Sequence, residues 1–146
     1  MSSFEQDFLS SRQAPVVAPA GDLIIDPTTS TPHVSYTLHN STLVIRGTST
    51  RATIRPFYRR IFHHVLGGLK QANKLRVSLI YDEINHDSVF LLMEFFNRLE
   101  EESKNGADIA LDWFSKDETH PIYFTGREVF TVLELSYPVR MLCLAS

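Results

Sequence analysis

The sequence predicts an α/β fold: one domain in the order β-β-α-β-α-β-α-β, with helices packed on a mixed sheet. Three observations predict it. Short β-prone runs alternate with longer segments whose apolar residues recur at three-and-four spacing. The run "LRVSLIYDEI", Leu75 to Ile84, is almost continuously apolar and β-prone, as a central strand is. The 146 residues, 43% hydrophobic and 21% charged, suit one globular domain with a real core.

The elements follow in order. Residues 1–21 mix Ser, Gln, Pro, Ala and Gly without periodicity, so a flexible N-terminal tail is expected before a domain over 22–146. Phe4, Phe8 and Leu9 are the one apolar cluster in that tail, a candidate short docking element. "LII" at Leu23 and "HVSYTL" at His33 are short extended pieces, and Pro32 keeps its predecessor out of the helical region. "HNST" supplies turn chemistry before "TLVIRG", so an antiparallel hairpin is expected, closed by Gly47.

"STRATIRPFYRRIFHHVLGGLKQANK" is the first helix, with Ser49, Thr50 or Thr53 as cap and Pro56 in its first turn. Ile54, Phe57, Tyr58, Ile61, Phe62, Val65, Leu66 and Leu69 form its buried stripe. After the central strand, a second helix is expected over 86–104, capped by Asn85 or Asp87 and ended by Asn105-Gly106. "ADIALDWF" is a further strand, with Trp113, Asp112, Asp117 and Glu118 read as its end and the following loop. "SKDETHPIYFTGREVFTVLELS" is a helix interrupted by Pro121 and Gly126, and "VRMLCLA" is the last strand.

Several functions are excluded by composition. A net charge of −3 gives no reason to expect nucleic acid or an anionic membrane as partner. Cys143 is the only cysteine, so no internal disulfide is possible and no zinc spacing exists. The six histidines form no matched pair with a third ligand, so neither metal nor cofactor is expected. No apolar run approaches a membrane span and the N-terminus has no secretory pattern, so a cytoplasmic protein is expected.

His86, Asp87 and Ser88 stand side by side and supply the residue types of a hydrolytic triad. At the start of a helix, consecutive side chains diverge by about 100°, so they cannot pass a proton along a chain. Ser88 also lacks a nucleophile-elbow glycine pattern. An enzyme is therefore not expected. A strand running into a helix N-terminus instead offers free N–H groups to a phosphate, which makes a Ser or Thr there a candidate phosphorylation site.

On the second helix, Val89, Leu92, Met93, Phe96 and Leu99 are expected to face the core. Phe90, Leu91 and Phe95 would then point away and form a partner-binding or dimerisation face. The outer face of the first helix carries Arg55, Arg59, Arg60, His63 and Lys70. Arg51, Arg55 and Arg59 have the spacing of the paired arginines in cyclic-dinucleotide receptors, which makes a nucleotide- or small-molecule-binding module the alternative function.

Several segments together resemble the SiaC family of bacterial regulatory phosphoproteins, small domains similar to the STAS domains of anti-sigma-factor antagonists. They are "LIIDPTTSTPHVSY", "LVIRG", "LRVSLIYDEIN", "IALDWF" and "GREVF", in order over residues 23–145. The resemblance implies a non-enzymatic protein that regulates a diguanylate cyclase by binding it, under a cognate kinase and phosphatase. It also implies a phosphorylated Thr at the start of the second helix, after an Asn. Asn85 matches that Asn and Ser88 one of the family's serines, but His86 stands at the Thr and Asp87 at a serine. Three outcomes are open for this switch region, Asn85–Ser88. Ser88 takes over as acceptor, Asp87 acts as a fixed charge, or the switch is lost.

Overall fold

The structure is a computed structural model, and it describes residues 21–144. A six-stranded sheet carries β1 (Leu23–Ile25), β2 (His33–Thr37), β3 (Thr42–Ser49), β4 (Lys74–Ile84), β5 (Asp108–Ser115) and β6 (Val139–Cys143). Three helices connect its second half: α1 (Arg55–Ala72), α2 (His86–Lys104) and α3 (Pro121–Leu133). The mixed α/β architecture is the expected one. It has one strand more, because "LII" pairs with β2 as a strand of its own.

The strands lie in chain order across the sheet. The first three are antiparallel and the last four parallel. Each parallel step is a strand–helix–strand crossover to the adjacent position, and such crossovers are right-handed. Repeating the same step in the same direction puts all three helices on one face of the sheet. The core follows. Leu43, Ile45, Val77, Leu79, Ile109, Leu111 and Trp113 alternate along their strands toward Tyr58, Ile61, Val65, Leu92, Phe96, Leu99 and Val129 of the helices, and all are buried. The intervening strand residues face away from the helices.

Two glycines are required by close approach. A Cβ on Gly68 would lie 2.0 Å from the Tyr36 hydroxyl, and one on Gly126 would lie 2.5 Å from Nε1 of Trp113. Gly126 therefore does not interrupt α3. It lets the helix settle against the indole, whose N–H donates to the Ile122 carbonyl at 2.9 Å. Pro121 likewise opens that helix at its first turn, where no amide partner is lost. Trp113 is a fully buried mid-strand residue, not a strand end. Asp112 is also within β5. It accepts a bidentate pair from Arg140 at 2.9 Å each and lies 3.5 Å from Arg76. The expected tail lies, apart from Gly21, outside the described residues, as do Phe4, Phe8 and Leu9.

A candidate regulatory site at the start of the second helix

The parallel strands end together, and the helices start, at one edge of the sheet. There β3 and β4 finish as a pair, Ser49 opposite Ile84, and the chain turns at Asn85 into α2. Asn85 is the cap: its side-chain oxygen accepts from the Ser88 amide at 2.9 Å, satisfying one of the orphan donors of the first turn. Its side-chain amide donates to the Arg51 carbonyl and its backbone N–H to the Ser49 carbonyl. One residue thus ties the start of α2 to the end of β3 and to the loop before α1. Asp87 is not the cap; it lies exposed in the first turn, where a carboxylate suits the positive end of the helix dipole. The expected caps of α1 are replaced too. Ser49 belongs to β3, and Ile54 precedes the helix without a side-chain cap bond.

Ser49 has a different task. Its hydroxyl lies 2.7 Å from that of Ser88 and 2.6 Å from the Tyr58 hydroxyl, which in turn lies 2.9 Å from the hydroxyl of Tyr81. Ser88 also reaches the Ser49 carbonyl at 3.3 Å. A hydroxyl has one proton to donate, so a single direction satisfies every contact. Tyr81 donates to Tyr58, Tyr58 to Ser49, Ser49 to Ser88, and Ser88 to the Ser49 carbonyl. All four residues are buried. Burial pushes the Tyr58 phenol above its ordinary value, partly opposed by its hydrogen bonds with Ser49, Tyr81 and Ser88. It pushes Tyr81 much further up, and the neighbouring Tyr58 adds to the effect. Both phenols therefore stay neutral, as a closed hydroxyl chain requires.

This chain was not legible in the sequence. A signal did exist: Tyr58 and Tyr81 sit on apolar stripes, and a buried phenol needs a partner for its hydroxyl. Nothing in the sequence says that the partners are Ser49 and Ser88, which lie 39 residues apart.

The structure divides the expected partner-binding face. Phe90 is 61% exposed, whereas Leu91 and Phe95 are 5% and 3% exposed and belong to the core. Phe95 stacks flat on Phe62 of α1 at 4.0 Å between ring centroids. The expectation holds for Phe90 and for Leu92, Phe96 and Leu99 but fails for Leu91 and Phe95, because α2 must cover both the sheet and the flank of α1, so its buried arc is broader than one stripe. Val89 and Met93, expected in the core, are only partly buried. Phe90 borders a shallow cavity of about 190 Å³ lined by Ala52, Thr53, Ile54, Arg55, Asp87 and Leu91. Of the arginines considered for a nucleotide, only Arg55 reaches it, and Arg55 also lies 3.9 Å from Glu94.

A family model described as the SiaC family regulatory phosphoprotein matches residues 25–136. The chain belongs to the SiaC family. The SiaC fold recurs in two solved structures from Pseudomonas aeruginosa. In the crystal structure of diguanylate cyclase SiaD in complex with its activator SiaC, the matching chain superposes with a TM-score of 0.77 at 21% identity, over 84% of this chain and 99% of that one. Apo-SiaC superposes at 0.76 and 22% identity, over 85% and 100%. No curated protein sequence matches. Membership makes the chain a regulatory protein, as its sequence implied, and not an enzyme. No helix among the described residues is long and apolar enough to cross a membrane.

Proposed function

We propose that this protein regulates a diguanylate cyclase by binding it, as the activator SiaC is bound to SiaD, and that the start of α2 is the docking site. The observation that carries the reading is Phe90. A phenylalanine left 61% exposed beside a cavity, one turn from the Asn85 cap, is an anchor of the kind that dominates binding energy. Leu91 and Phe95 contribute by fixing α2 against the core, and Phe90 alone of the three meets the partner.

Ser88 is the hydroxyl of the switch region and its candidate phosphoacceptor, but it is fully buried within the hydroxyl chain. A kinase reaches it only after the first turn of α2 opens. The phosphate then adds a charge of about −1.5 to −2 that cannot return to a site made of neutral hydroxyls. Phosphorylation of Ser88 would thus hold the turn open and displace Phe90 from its docking position. The usual family Thr would sit at His86, which is exposed, so here the switch gains a conformational step before modification.

Phe90→Glu tests the docking site. The variant should fold with unchanged stability, since surface changes lie within about 0.5 kcal/mol, and should lose co-purification with a diguanylate cyclase from the native host. Retained co-purification sinks the reading. A Leu91 variant would not test it, because a charge there breaks the core.

A further inference from the structure

We propose that Thr53 is a phosphorylation site, and that a phosphate there closes the docking cavity beside Phe90. The closing rests on the docking site proposed above; the assignment of Thr53 as an acceptor does not. Thr53 lies exposed in the turn between β3 and α1, two residues before the helix begins at Arg55. Its hydroxyl has no hydrogen-bond partner among the described residues. Other hydroxyls are held. Ser49 and Ser88 are buried in the hydroxyl chain, Thr119 bonds Asp117, and Thr125 and Thr131 donate to carbonyls one helical turn back. A kinase must draw the acceptor into its own active site, which an exposed turn allows without opening a helix. Of the residues lining the cavity, Thr53 alone carries a hydroxyl.

The surrounding charges give a phosphate there both a partner and an effect. Arg51 stands two residues before Thr53 and Arg55 two residues after it. Arg55 lines the same cavity, and its contact with Glu94 is a half-exposed pair at 3.9 Å, which holds it weakly. A phosphate with a charge of about −1.5 to −2 and three acceptor oxygens takes Arg55 through charge-assisted hydrogen bonds. α1 has neither a side-chain cap nor an acid in its first turn, so negative charge before it suits the helix dipole. The α2 side of the cavity carries Asp87. A phosphate facing that carboxylate fills about 190 Å³ with hydrated negative charge, where a partner's apolar side chain would enter beside Phe90.

The position also fits the family. Residues 25–136 match regulatory phosphoproteins, while His86 stands where the resemblance implies the Thr. Thr53, across the same junction, supplies the acceptor oxygen that His86 lacks. The transfer is an ordinary kinase step. The terminal phosphoryl group of ATP forms a new bond to Oγ1 of Thr53 as its bond to the leaving ADP breaks, and the hydroxyl proton passes to a base of the kinase.

The test incubates the full chain with radiolabelled ATP and a lysate of the native host, then maps the label to tryptic peptides. Trypsin cuts after Arg51 and Arg59 but not between Arg55 and Pro56, so the peptide 52–59 carries only the hydroxyls of Thr53 and the buried Tyr58. Label is expected on this peptide in the wild type and in Ser88→Ala, and its loss in Thr53→Val. An unlabelled 52–59 peptide in the wild type overturns the acceptor, as does label that survives there in Thr53→Val. Co-purification of a diguanylate cyclase is then compared before and after phosphorylation. The wild type should lose capture about tenfold or more, and Thr53→Val, treated alike, should keep it. Equal capture by both forms of the wild type overturns the closing. Capture by neither form overturns the docking site and the closing with it, and the labelled peptide still decides the acceptor.

Discussion

Two strand-to-helix junctions lie side by side in this fold and are sealed in opposite ways. At the β5–α3 junction the seal is apolar. Trp113 is fully buried, meets Phe130 edge-on at 5.8 Å, and fixes the helix start through a single N–H to the Ile122 carbonyl. At the β4–α2 junction the seal is a chain of four hydroxyls ending at Ser88. Both helices have side-chain caps, Asn85 for α2 and His120, through Nδ1 to the Ile122 amide, for α3. The difference lies beneath the caps. Apolar packing loses stability in proportion to the volume removed, whereas a hydroxyl chain is satisfied in one arrangement and broken by one added group. A regulatory modification therefore has leverage at the second junction and little at the first.

Breaking the apolar seal should have the largest effect on stability. Trp113→Ala removes the largest buried side chain and should cost about 3–5 kcal/mol in denaturant unfolding. A loss below about 1 kcal/mol would mean that the indole is not the plug of this junction. Breaking the polar seal should cost less. Ser88→Ala deletes one hydroxyl of the chain while Ser49 keeps Tyr58, so about 1–2 kcal/mol is expected. Ser88→Asp, which buries a charge, should open the turn, seen as faster amide exchange at Val89 and Phe90 with the α3 amides unchanged. Equal protection in both variants would show that the hydroxyl chain does not hold the turn.

The smallest effect at neutral pH is the sharpest in kind. Tyr58 and Tyr81 have folded pKa values raised by burial above the ordinary phenol value of 10.0. A group raised in the folded state ionises first in the unfolded chain. The stability tied to the neutral phenols is therefore full below about pH 10 and falls as pH rises beyond it. Tyr81→Phe should flatten that alkaline limb, and a limb that stays as steep would remove the pair from the account.

The candidate site was half legible in the sequence. A cap at Asn85 or Asp87, the span 86–104 and its end at Asn105 follow from local chemistry: a short polar side chain before an apolar-periodic run, then Asn-Gly; the structure chose Asn85. The interior orientation of α2 was not legible. Whether Leu91 and Phe95 or Val89 and Met93 face inward depends on where α1 lies, since Phe95 stacks on Phe62 across the helix pair. Asp112 and Trp113 were misplaced for a similar reason. An acid next to an indole looks like a strand end until strands β4 and β6 bring Arg76 and Arg140 to that carboxylate.

By itself, the sequence determined the α/β class, the three helices, the mixed sheet and the likeness to one regulatory family. All of these rest on periodicity, caps and ordered motifs that act over a few residues at a time. Only the tertiary structure decided that Phe90 alone of Phe90, Leu91 and Phe95 is exposed, that Ser88 closes a buried hydroxyl chain, and that the three helices of the described residues share one face of the sheet. Those features depend on which strands become neighbours and on the fixed hand of the crossovers, and a contact between residues 39 apart leaves no periodic trace in the chain.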